Sequence, residues 1–165
     1  IFKPKMTLDL DSKKSLLRKI PHALFICGVA EGDNINGFTA SWVTQGSFEP
    51  PLVVMSVRAD GSSHGIIERT NKFSLNFLKS DQKDLAAVFF KPQKALGGRF
   101  DSVSFSIGPL GLPIIDQGIG GIECELIGSV KKGDHSVFVG EVKTAKLIND
   151  DSILDLSSTG WSYGG

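Results

Sequence analysis

Cysteine is scarce in this chain. Cys27 and Cys124 are the only two among 165 residues, and each lies inside an apolar run. Such a pair makes neither a disulfide scaffold nor a zinc site, so both read as buried packing thiols. Thiols without disulfides lead to the expectation of a cytoplasmic location. Histidine is nearly as sparse: His22, His64 and His135 show no metal-ligand spacing, and no metal is expected. Net charge is absent, with 18 basic residues against 18 acidic ones, so no global field exists to gather nucleic acid or an anionic membrane. No apolar run reaches the length of about 18 residues that a membrane-spanning helix needs. No signal-peptide pattern is seen, although Ile1 is not a natural start and residues are expected ahead of it. Walker A and strand-linked GxGxxG sequences are missing, and the GIGG of residues 118–121 lacks the helix that a dinucleotide site requires. No Ser-His-Asp or Cys-His constellation is recognisable.

What the chain does have is glycine, 19 residues, and phenylalanine, 11 residues, a balance that suits a β-rich fold. Its length fits one domain over residues 1–165. Asp11 is placed to cap a helix over residues 12–19, which Pro21 ends. The apolar run at 23–30 predicts a buried strand, and 31–37 a turn. A second strand is expected over 38–48, broken by Pro50-Pro51, and a third over 52–58. Asp60-Gly61 turns the chain, and Ser62 or Ser63 caps a helix to residue 69. Residues 73–78 alternate with period two, and Ser80 caps a helix over 81–90. Residues 92–113 read as irregular. Strands over 119–130 and 135–148 flank a Lys-Lys-Gly-Asp hairpin loop. The aromatic tail, Trp161 and Tyr163, is expected to fold back on the body or on a ligand. With no long helix after each strand, an antiparallel barrel is favoured over a parallel sheet.

Several polar residues stand out against this apolar background. Thr39 and Ser41 share one face of their strand, while Ala40 and Trp42 share the other. The hydroxyls either face solvent on an edge strand or bond the polar edge of a ring or a phosphate. Arg58 ends an apolar strand just before Ser62, Ser63 and His64 open a helix. That combination makes an anion site, or else an ordinary cap beside a surface charge. Asn76, within FSLNFL, needs partners and finds them in backbone or in a ligand. His135 lies near a hairpin tip, where a histidine is usually solvated.

Taken in series, NGFTASWVTQGSFEPPLVVMSVR at 36–58, SSHGII at 62–67, FSLNFL at 73–78 and GDHSVFVGEV at 133–142 resemble the flavin reductase-like family of FMN-binding proteins. The resemblance runs from about residue 20 to 145. It implies a mainly β fold, a six-stranded antiparallel split barrel with short connecting helices, and a homodimer with FMN near the subunit contact. It implies that Thr39, Ala40, Ser41 and Trp42 contact the flavin, with Gln45 and Ser47 on the same segment. Arg58, Ser63 and His64 match the phosphate side, and Asn76 and Leu78 a strand beside the ring. His135 matches the histidine near the nicotinamide, the one catalytic candidate. The implied activity moves electrons from NAD(P)H to flavin, or through bound FMN to an acceptor such as a redox protein. The alternative is a flavin- or haem-binding module without turnover of NAD(P)H. The chain departs from the family pattern at Asp60-Gly61-Ser62-Ser63, which lacks the basic residue many members carry there. It also departs in its tail, Thr159–Gly165.

Overall fold

The computed structural model describes residue 3 and residues 5–165. Its first helix, α1 (Leu10–Leu17), is capped by Asp9, whose carboxylate accepts from the backbone N–H groups of Asp11 and Ser12 at 3.1 and 3.2 Å. Asp11, the expected cap, therefore lies within the first turn, where its charge suits the helix dipole. Strand β1 (Phe25–Glu31) turns through Gly32, at φ 59°, into β2 (Asn34–Ala40). That turn is tighter than the 31–37 loop expected, because a glycine in the left-handed region closes it in two residues. The single strand expected over 38–48 is two strands. β2 ends at Ala40, and β3 (Val43–Ser47) begins a new pairing with β4 (Leu52–Arg58). Helix α2 (Ser62–Thr70) follows, then β5 (Lys72–Phe77) and α3 (Lys83–Val88).

The 92–113 stretch is more ordered than expected. It holds β6 (Gln93–Lys94), which pairs with β2, and the short strands β7 (Arg99–Phe100), β8 (Val103–Ile107) and β9 (Pro113–Ile115) of a separate three-stranded sheet. The long hairpin of β10 (Gly120–Val130) and β11 (His135–Leu147) and a short helix, α4 (Leu156–Thr159), complete the chain. The main sheet is eight-stranded, in the order β3-β4-β11-β10-β5-β1-β2-β6, with antiparallel pairing throughout. Five of its six long strands lie where expected, β2 begins inside the stretch read as a turn, and β3 and β6 lie at the two edges.

One hydrophobic cluster joins Phe25 and Cys27 of β1, Met55 and Val57 of β4, Phe73 of β5 and Phe138 of β11 to Ile66 and Ile67 of α2. Strands far apart in the sheet order thus share one interior, which means the sheet is curled into a barrel and α2 fills its split. Gly140 faces that interior where a Cβ would come within 2.7 Å of the Phe73 ring, so the hairpin crosses there without a side chain. A second cluster, with Ile26, Leu78, Phe89, Phe100 and Ile115, covers the outer side of β1 and β5. The 23–30 run is continuously apolar because both of its faces are covered, by α2 within and by the 83–115 segment without. Both thiols are fully buried, and burial raises Cys124 to about 12 and Cys27 well above its ordinary value.

Candidate functional site

The end of β2, the end of β4, the start of α2, the start of β11 and the 156–163 tail surround a cavity of about 640 Å³. That volume falls within the roughly 300–1,000 Å³ of small-molecule sites. On its first wall, the Thr39 hydroxyl donates to Ala86 O at 2.7 Å, and Thr39 N–H to Phe89 O at 3.0 Å. These two bonds tie the end of β2 to α3 and its C-cap while Thr39 and Ala40 still pair with Ile26 and Phe25 of β1, and Ala40, Ser41 and Trp42 run along the cavity. The hydroxyl of Thr39 keeps lone pairs for a ligand but not its proton.

The second wall is the start of α2. Its cap position is Gly61, and no side chain caps it, so neither Ser62 nor Ser63 plays the part expected. The first N–H groups of the helix have no intrahelical partner. Beside them, Ser63 Oγ is buried without a hydrogen-bond partner, the one such side-chain atom among the described residues. A buried hydroxyl left unpaired at a bare helix start is a group waiting for an acceptor. Arg58 stands at the same end. Its Nε and Nη2 donate to Asp60 Oδ1 and Oδ2 at 3.1 and 2.9 Å, and this pairing raises the guanidinium and lowers the carboxyl. Two of the five guanidinium donors, expected at an anion site, are thus held by a carboxylate.

His64 lines the cavity, but both ring nitrogens are committed elsewhere. Nδ1 faces Glu68 Oε1 at 3.0 Å and Nε2 faces Ser136 Oγ at 2.7 Å; Glu68 also pairs with Lys131. This Ser-His-Glu line has the connectivity of a hydrolytic triad, yet Ser136 is 2% exposed and turned into the barrel interior, where no substrate reaches it. Its effect is to fix His64 against Phe138, ring centroids 5.1 Å apart, and so to set the start of α2 on β11.

The third wall is aromatic. His135 Nδ1 lies 2.8 Å from Asp134 Oδ1 and lowers that carboxyl, while Nε2 meets Tyr163 Oη at 2.5 Å. Trp42 stacks beside His135, centroids 4.5 Å apart, and its Nε1 donates to Tyr163 O at 3.2 Å. Burial raises the Tyr163 phenol. Trp161 meets Phe90 edge to face at 4.6 Å with Lys83 above its ring. The tail therefore does fold back, and it forms a wall of the cavity.

Eight of the candidates meet here: Thr39, Ala40, Ser41, Trp42, Arg58, Ser63, His64 and His135. Four do not. Gln45 and Ser47 sit on edge strand β3, where the Gln45 amide donates to Ser47 O at 3.3 Å. Asn76 is 1% exposed and its amide serves the backbone: Nδ2 donates to Ile26 O and Pro113 O, each at 3.2 Å, and Oδ1 accepts from Ile115 N–H at 2.8 Å. It fastens β5 to β1 and β9. Leu78 is fully buried in the outer cluster. Sequence reasoning missed Asp60 as the partner of Arg58, though an Arg and an Asp two residues apart across a turn was a readable signal.

Residues 17–158 match the profile of the flavin reductase like domain. The chain belongs to the flavin reductase-like family. The FMN reductase (NADH) SmoA of Agrobacterium fabrum is 31% identical over 117 residues, covering 71% of this chain and 65% of that protein. The stachydrine N-demethylase reductase subunit Stc3 of Rhizobium meliloti is 31% identical over 129 residues, 78% of this chain and 52% of the relative. Among solved structures, the NADH:FAD oxidoreductase SgcE6 of Streptomyces globisporus superimposes with a TM-score of 0.73 at 26% identity, covering 89% of this chain and 84% of that one. The chain spans 23% to 52% of the length of several curated relatives, the shortest share being of a putative diflavin flavoprotein of Synechocystis. The curled antiparallel sheet, mainly β with short helices, is the split barrel of this flavin reductase-like family.

Proposed function

We propose that this chain binds a flavin nucleotide, FMN, in the cavity and reduces it with NAD(P)H. The observation that carries the proposal is the unpartnered Ser63 hydroxyl beside the uncapped first turn of α2, which fits a phosphate or other anionic oxygen. In this reading the N–H groups of the first turn and Ser63 Oγ hold the phosphate, and Arg58 supplies the countercharge. His64 contributes its backbone, since its ring is occupied. The 39–42 segment offers backbone groups, the Ser41 hydroxyl and the lone pairs of Thr39 to the polar edge of the ring. When bound, the flavin supplies the redox chemistry, and the protein supplies placement and electrostatics. The names of SmoA and SgcE6 support flavin reduction by a nicotinamide.

His135, half-buried at the mouth and aligned by Asp134, orients the nicotinamide in this proposal. Asn76 and Leu78 act from behind the wall, as packing. Gln45 and Ser47 contribute only where a second copy meets the β3 edge. A homodimer is supported by α1, which buries none of its residues and leaves Leu10 and Leu16 exposed. The whole of residues 1–165 is taken as one domain acting in the cytoplasm, and among the described residues no helix is long and apolar enough to cross a membrane.

One observation favours a second reading, a flavin-binding module that passes electrons to a protein partner without using NAD(P)H. Tyr163 sits against both His135 and Trp42, where a nicotinamide would enter. Titration with FMN by fluorescence, followed by anaerobic addition of NADH or NADPH while the visible flavin band is recorded, separates the readings. Loss of the band supports the reductase. Binding with a persistent band supports the second reading, and no binding refutes both.

A further inference from the structure

We infer that Asp60 is a specificity residue of this site: it competes with a ligand's phosphate for Arg58, lowers the preference for a phosphorylated flavin, and so makes FMN an exchangeable substrate. The inference rests on the flavin-binding reading above. Among the described residues, Arg58 is the only lysine or arginine that lines the cavity. Two of its donors already grip the Asp60 carboxylate at 3.1 and 2.9 Å. A second carboxylate, Asp134, belongs to the same corner, because β11 pairs His135 with Arg58 and Ala59 N–H donates to Asp134 O at 2.9 Å. Two carboxylates therefore stand near the one guanidinium, Asp134 on the solvent side with its side chain 98% exposed.

Ser63 Oγ and the first N–H groups of α2 remain, and they are neutral donors. A dianionic phosphate arriving on them must either detach Arg58 from Asp60 or share the guanidinium through its remaining N–H donors with the Asp60 carboxylate close by. Each alternative opposes FMN, and neither touches riboflavin, which has no phosphate. The Arg58 and Asp60 side chains are 64% and 71% exposed, so solvent screens the pair and the competition is modest rather than prohibitive. A ligand held by neutral donors, with its countercharge half withdrawn, leaves readily.

The experiment measures dissociation constants of FMN and riboflavin by flavin fluorescence, for the wild type, Asp60→Asn and Asp60→Asn with Arg58→Ala. Asp60→Asn is expected to tighten FMN by about 3- to 10-fold, more at low salt than at high, and to change riboflavin by less than about twofold. Adding Arg58→Ala is expected to remove most of the gain, since the freed guanidinium is its source. FMN affinity that does not change, or riboflavin affinity that rises by the same factor, overturns the inference while leaving the flavin site standing. Failure of the wild type to bind either flavin overturns the functional reading and this inference with it.

Discussion

Replacing Ser63 by alanine should make the protein more stable and a worse binder of phosphorylated flavin. The Ser63 hydroxyl is buried with no hydrogen-bond partner. Such a group costs about 1–3 kcal/mol. Removing it relieves that cost, and alanine is the better helix former by up to about 0.5 kcal/mol. The void left is one oxygen atom, which returns a fraction of the gain as lost contacts. A net stabilisation of about 1–2 kcal/mol follows, or roughly 2–8 °C in thermal midpoint for a chain of this size. Binding moves the other way. A hydrogen bond to a charged acceptor contributes about 1.5–3 kcal/mol, so FMN should bind roughly 10- to 100-fold more weakly, while riboflavin is unaffected. Thermal unfolding without flavin, followed by circular dichroism, reads the first effect, and flavin fluorescence titration reads the second. A lowered midpoint would show that the hydroxyl is satisfied in the free protein. Equal weakening of FMN and riboflavin would place Ser63 away from the phosphate. Opposite signs of stability and affinity in one variant are the mark of a group kept unpaired for a ligand.

Asn76→Ala should cost about 2–4 kcal/mol in urea unfolding, because Ile115 N–H and two carbonyls lose their partner, while the folded variant binds FMN as the wild type does; weakened binding with unchanged stability would return Asn76 to the cavity. His135→Ala should slow NAD(P)H-dependent flavin reduction by more than about tenfold and leave FMN affinity nearly unchanged; stopped-flow traces at the wild-type rate would remove it from the reaction. Burial holds both thiols protonated, so at pH 8 neither Cys27 nor Cys124 should react with a disulfide reagent until the protein is unfolded. The folded state then binds more thiol protons than the unfolded one above pH 9, so stability should fall as pH rises from 9 toward 12; a fast-reacting thiol in the native protein contradicts this.

The parts of the fold that were legible in the sequence are those whose signals are local. β4 is an apolar run bounded by Pro50-Pro51 on one side and Asp60-Gly61 on the other, and it forms over Leu52–Arg58 as read. The β10–β11 hairpin is announced by Lys131-Lys132-Gly133-Asp134 between two alternating runs. The break between β2 and β3 has no such mark. Nothing in Thr-Ala-Ser-Trp interrupts a strand; the break falls just after Thr39, which is bonded to Ala86 and Phe89, more than forty residues away. β6 to β9 escaped notice because strands of two to five residues are too short to show a period.

The site divides in the same way. Arg58, Ser63 and His64 were readable as one corner from their spacing, and Thr39 to Trp42 as one wall. Which of their donors remain free was not readable. His64 and Glu68 stand four residues apart on a helix, a visible pair, but Ser136, which takes the other nitrogen, lies 72 residues on. Asn76 drew notice as a polar residue in an apolar strand, and either kind of partner would have explained it; the carbonyls of Ile26 and Pro113 decided in favour of backbone.

By itself, then, the order of residues determined the kinds of element, the family and the pool of polar groups near the cavity, because periodicity, turn chemistry and capping act over a few neighbours. Tertiary structure alone decided how each polar group in that pool is used. A side chain has few hydrogen-bonding positions, and whether they face a ligand depends on which distant segment the barrel brings alongside. Asp60 and Arg58 close on each other, His64 is taken by Ser136 and Glu68, Tyr163 closes on His135, and the hydroxyl of Ser63 is left over.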